Sequence, residues 1–106
     1  MAKYLIQASY VGEGIKGLLK EGGSARRAAV EKLLASVGGK VDSFYYAFGD
    51  TDAYVIVDAP DNVTTAAVAL TVAASGLVTI KSTVLLTPEE VDQATKKSPA
   101  YRAPGA

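Results

Sequence analysis

An α+β fold built on one antiparallel sheet is what the sequence predicts, and three observations carry it. Two runs rich in Tyr, Phe, Val and Ile flank the acidic turn Gly49-Asp50-Thr51-Asp52, so that Val41 to Asp58 reads as a β-hairpin. The chain before this hairpin reads as strand then helix, and the chain after it as helix then strand. Gly22-Gly23, Gly38-Gly39, Pro60 and Gly76 punctuate the joins. The order is therefore βαββαβ with a short helix appended. A chain of 106 residues suits one such domain.

Each element has its own signal. Lys3 to Tyr10 alternates, with Tyr4, Ile6, Ala8 and Tyr10 on one face and Leu5, Gln7 and Ser9 on the other. Ile15, Leu18 and Leu19 give a short helical segment a buried stripe, and Gly22-Gly23 interrupts it. Ser24 is expected to cap a longer helix from Ala25 to about Val37, with Ala29, Val30, Leu33, Leu34 and Val37 facing inward and Gly38-Gly39 ending it. In the hairpin, strict alternation puts Phe44, Tyr46 and Phe48 on one face and Val41, Ser43 and Tyr45 on the other. Asp61 is placed to cap a helix from Asn62 to about Ser75. Its body is small and apolar nearly all round, which predicts close packing against the sheet and the neighbouring helix. Leu77 to Leu86 is the last strand, and Thr87-Pro88-Glu89-Glu90 is a capping box opening a helix to about Thr95. Residues 1–95 are thus expected to form a single domain, and residues 96–106 an arm, loose or laid on a neighbouring subunit.

Right-handed crossovers fix the topology as ferredoxin-like: strand order 4-1-3-2, with both crossover helices on one face. The second face then carries Leu5, Gln7, Ser9, Phe44, Tyr46, Phe48, Tyr54, Ile56, Thr79 and Lys81. So much apolar surface exceeds the few hundred Å² that monomers tolerate, and a homodimer through this face is the expected solution.

Composition bounds the chemistry. Apolar residues make up 49% and charged residues 21%, with 11 basic and 11 acidic side chains. A balanced charge predicts no nucleic-acid partner. No apolar run approaches the roughly 18 residues of a membrane span, and the first residues lack a signal-peptide core, so a cytoplasmic protein without membrane partners is expected. There is no Cys and no His. Disulfides, thiolate or imidazole metal ligands, and Ser-His-Asp or cysteine nucleophile chemistry are excluded. The acids are scattered, so no metal and no cofactor are expected. Acid–base work would fall to Tyr, Lys, Arg or carboxylates.

The opening KYLIQASY, the stretch EGIKGLLKEGGSARRAAVEKLL, the hairpin FYYAFGDTDAYVIVD and the segment LLTPEEVDQA cover almost the whole chain. In these residues it resembles the GYD-domain family, small bacterial proteins of uncharacterised function in the dimeric α/β-barrel class. The family's Gly-Tyr-Asp signature stands here as Gly49-Asp50-Thr51-Asp52, with Thr51 in place of an aromatic residue. The resemblance implies the ferredoxin-like fold and a dimeric α/β barrel. It implies no particular activity.

Three candidate sites follow. Gln7, Ser9, Tyr46, Tyr54 and Lys81 share the face assigned to the barrel interior, and a mostly apolar cavity with a few polar groups is how small-molecule pockets look. A filled interface in which these groups bond one another fits the same pattern. Gly23, Ser24, Arg26 and Arg27 form an anion-binding candidate, because cations in a first helical turn oppose the dipole unless an anion joins them. A plain helix break, with the arginines paired to acids, fits equally. Asp50 and Asp52 read as turn chemistry, with Asp52 also able to pair with Arg26 or Arg27. The expected function is small-molecule binding, as sensor or carrier, in a cavity between the sheets of a homodimer. The alternatives are a cofactor-independent monooxygenase or isomerase using Tyr46, Tyr54 or Lys81, and a structural module forming higher oligomers.

Overall fold

The computed structural model describes residues 1–106 and contains β1 (Ala2–Tyr10), α1 (Glu13–Glu21), α2 (Gly23–Ala35), β2 (Lys40–Tyr46), β3 (Ala53–Ala59), α3 (Asn62–Ala74), β4 (Val78–Leu85) and α4 (Pro88–Ala94). The four strands form one antiparallel sheet in the order β2-β3-β1-β4, which is the predicted topology read from the opposite edge. β1 is central because its alternation serves two partners at once: Gln7 pairs with Tyr54 on one side and Lys81 on the other.

The core lies between the sheet and the helices. Tyr4, Val55, Val57 and Ala59 are buried there with Leu34 of α2, and Ile6, Val30, Leu33, Phe44 and Val68 pack around them. Burying a Val or Leu side chain in this way stabilises the fold by about 1.5–3 kcal/mol each. Tyr4 is only 2% exposed, and its hydroxyl stays satisfied by donating to Asn62 Oδ1 at 2.6 Å. That bond ties the central strand to the start of α3. Asp61 caps the same helix by accepting from the Thr64 N–H at 2.8 Å, as its position in the sequence predicted.

Two expectations about the first hairpin strand, β2, need correction. The register shifts between Val41 and Ser43, so that Val41 pairs with Val57 and Phe44 with Val55. A bulge of this kind adds one residue to one strand and reverses the parity of everything after it. Phe44 and Tyr46 therefore face the helices rather than the open side. Phe48 lies past the end of β2, fully exposed in the connection to β3. The open face consists of Leu5, Gln7, Ser9, Ser43, Tyr45, Tyr54, Ile56, Thr79, Lys81 and Thr83.

The helix layer also differs from expectation. Ser24 does not cap α2. The helix begins at Gly23, and Gly22, with φ of 84° and its N–H donated to Leu18 O at 2.8 Å, is the single residue between α1 and α2. A non-glycine residue would be strained in that left-handed corner. Nor does α3 pack closely on α2. A cavity separates them, and the outward stripe of α3 leaves Val63 80% and Leu70 72% exposed. Beyond Leu85 the chain leaves the sheet, and every residue from Leu86 to Ala106 is exposed. α4 has its capping box in place, Thr87 and Glu90 bonding reciprocally. Tyr101 is exposed, and Arg102 bonds only to the backbone of Ala106 nearby. No helix is long and apolar enough to cross a membrane.

Candidate functional site

Three regions were singled out by the sequence, and the structure distributes them over both sides of the sheet. On the open face, register aligns Tyr45, Tyr54, Gln7 and Lys81 in one row across all four strands. Ser9 stands two residues from Gln7 and pairs with Thr79 on β4. The acidic turn folds over this end of the row: Ser9 Oγ donates to Asp50 O at 2.7 Å, and Thr51 Oγ1 approaches Gln7 Oε1 at 3.4 Å. Gln7, Ser9, Tyr54 and Lys81 are thus brought together. Tyr46 is not, because the bulge sends it through to the other side. At the far end of the face, Lys3 bridges Asp58 at 2.9 Å and Asp42 at 3.3 Å. Hydrogen bonding to these two carboxylates, Asp58 foremost, raises the Lys3 ammonium above its ordinary value.

Asp52 is occupied by the backbone. Its carboxylate accepts from the Tyr10 N–H at 2.8 Å, and its own N–H donates to Ala8 O at 2.9 Å. It extends the β1–β3 ladder beyond Ala53, the first residue of β3, and pairs with neither Arg26 nor Arg27. No group of acids is arranged to hold a metal ion.

The Gly22–Arg27 segment divides. Arg27 turns outward and meets Glu31 at 3.6 Å, an exposed i,i+4 pair. Arg26 turns inward, because positions 26, 30, 33 and 34 share one face of α2 with the core residues Val30, Leu33 and Leu34. The two arginines therefore do not converge on one anion. Gly23 is required for a reason of packing: a Cβ there would come within 2.9 Å of the Tyr46 ring. Tyr46 in turn donates its hydroxyl to Gly23 O at 3.0 Å. Partial burial pushes the Tyr46 phenol up from its ordinary value, the Tyr10 hydroxyl beside it adds to the rise, and the Arg26 charge opposes it.

Arg26 and Tyr10 belong to a feature that sequence reasoning missed. A cavity of about 110 Å³ lies between the inner faces of α2 and α3 and the sheet beneath them. Arg26, Val30 and Leu33 line it from α2, Val68, Ala69 and Val72 from α3, and Ala8, Phe44, Val55 and Ile80 from the sheet. Apart from Arg26 and Thr65, every lining side chain is apolar or aromatic, and the Thr65 hydroxyl is already spent on Asp61 O at 3.0 Å. A second, more polar hollow of about 320 Å³ adjoins it and is lined by Glu13, Leu18, Glu21, Thr71 and Ser75. Tyr10, Arg26, Val72 and Val78 line both. The signal was present in the sequence: Ala8, Ala29, Ala53 and Ala69 all fall on inward faces, where small side chains leave volume unfilled.

The arrangement can hold a small molecule by its apolar end and meet its polar end with a guanidinium and a phenol. Comparison with the curated proteins and with the solved structures returns no match. The model of the GYD domain matches residues 4–95, from the first strand to the end of the last helix, and the chain belongs to the GYD-domain family.

Proposed function

We propose that this protein is a small-molecule binding protein whose pocket is the cavity between α2, α3 and the sheet, on the helix side and not between the sheets of a dimer. One observation carries the reading: an apolar cavity of about 110 Å³ whose lining also carries Arg26 and Tyr10, the two residues with polar side-chain ends that it shares with the more polar hollow beside it. Apolar cavities of about 150 Å³ stay dry and take up benzene or xenon, so this one suits a ring or a branched alkyl group. Convergent polar groups at the edge of an apolar chamber are the usual composition of a ligand site.

The open sheet face serves assembly in this reading. Tyr45 is 71% and Tyr54 41% exposed, and Leu5 and Ile56 lie beside them. A twofold contact would cover the row Tyr45–Tyr54–Gln7–Lys81 on both copies. The exposed stripe of α3 and the projecting α4 leave room for larger assemblies built on the same dimer.

Native mass spectrometry of the full chain, purified from its own host, tests the proposal. The expected result is a dimer carrying a reproducible small mass that is released on denaturation and is absent from an Ala69→Leu variant. A ligand-free species in both proteins would overturn the binding role, and a monomer would overturn the assembly.

A further inference from the structure

The guanidinium of Arg26 is covered without being well paired. Its side chain is 30% exposed, and its one ion pair, with Glu21 at 3.6 Å, is too long for a hydrogen bond. Removing a charge from water is unfavourable unless strong, oriented bonds replace the lost hydration. Arg26 also holds a particular place: it lines both hollows, whereas Glu13 and Glu21 line only the outer one. Glu13 is engaged by Lys16 at 3.0 Å. A ligand seated in the apolar chamber therefore meets Arg26 first, and the acids only beyond it.

We propose that the pocket takes small monocarboxylates with an apolar body, aromatic or branched aliphatic, the carboxylate being held by Arg26 in place of Glu21. The inference rests on the pocket reading above and adds the chemical class of its ligand. An arginine offers two parallel N–H donors that match a carboxylate, and charge-assisted bonds of this kind are roughly twice as strong as neutral ones. Glu21 is displaced readily because its contact is long and its side chain half exposed. A cation of the same shape would bring its charge against the guanidinium, and a neutral amide offers one carbonyl acceptor but no charge to balance it. Tyr10 lines the same two hollows as Arg26.

The test uses the full chain and three probes of one shape: benzoate, benzamide and benzylamine, each titrated while backbone amide resonances are followed. Benzoate is expected to shift signals of α2, α3 and Ile80 and to bind at least tenfold more tightly than benzamide, with benzylamine weakest. Arg26→Gln keeps the length of the side chain and removes its charge. In this variant benzoate should lose at least tenfold in affinity and approach benzamide, whose own affinity changes much less. Equal binding of benzoate and benzamide, or indifference of benzoate to Arg26→Gln, would overturn the carboxylate class and leave the pocket standing. No shift on α2 and α3 with any probe would overturn the pocket as well.

Discussion

Ala69→Leu fills the cavity from the α3 side, and its effect can be worked out in advance. The substitution adds three carbons to a side chain that already lines a chamber of about 110 Å³. At about 0.8 kcal/mol per buried carbon the transfer is worth about 2.4 kcal/mol. Immobilising the leucine opposes this by about 0.5–1 kcal/mol, and helix propensity changes little. The net expectation is a stabilisation of about 1.5 kcal/mol. With an unfolding entropy of about 2.1 cal/mol/K per residue near the midpoint, a chain of this length gains about 6–7 °C in Tm. Thermal and urea unfolding followed by circular dichroism would measure it, with Ala28→Leu on the exposed side of α2 as a control that stays within about 0.5 kcal/mol of the parent. A loss of 1 kcal/mol or more for Ala69→Leu, the usual result of overpacking, would mean that α2 and α3 close on each other in solution and that no chamber exists.

Other predictions follow from single contacts. Tyr4→Phe deletes the hydroxyl that donates to Asn62 Oδ1 and should destabilise the protein by about 1 kcal/mol, read as a lower urea midpoint with an unchanged slope. Gly23→Ala drives a methyl group to 2.9 Å from the Tyr46 ring and should destabilise by about 1–3 kcal/mol. Adding Tyr46→Ala should remove that penalty, and a purely additive double mutant would refute the contact. The Asp61 carboxyl is held below its ordinary value of 3.8 chiefly by the Thr64 backbone N–H. Its contribution is therefore complete above the unfolded value and is lost as pH falls through the lower folded one. In urea midpoints taken between about pH 6 and pH 2, Asp61→Ala should flatten the lowest part of the acid limb.

The fold was legible because its signals are local and agree with one another. β1, α3, β4 and the capping box at Thr87 can each be read from a few neighbouring residues, and their order leaves one ferredoxin-like topology. The face assignment failed at one place for a definite reason. Alternation assumes an uninterrupted ladder, and the bulge after Val41 inserts a residue that composition does not announce. Phe44 and Tyr46 crossed the sheet as a result, and with Tyr46 went one member of the expected barrel-side site. The cavity escaped notice for another reason. Small residues on an inward face read equally as close packing or as empty space, and only the spacing between α2 and α3 decides. Arg26 was half legible: its place in the first turn marked it as unusual, but its charge grouped it with Arg27, Glu31 and Lys32 on the polar side of the helix, and only the packing of α2 shows it turned toward Val30, Leu33 and Leu34.

The central position of β1 also sets the order of events during folding. The first strand to be synthesised can pair with β3 only once residues 53–59 exist, and with β4 only once residues 78–85 exist. Such long-range pairings bear the entropy of closing large loops before they return any stability, so this topology folds more slowly than its helix content suggests. Until β4 arrives, β1 is an edge strand with open backbone groups and apolar side chains on both faces, a template for pairing with other chains. Chains cut short before Val78 should therefore aggregate rather than persist as soluble fragments.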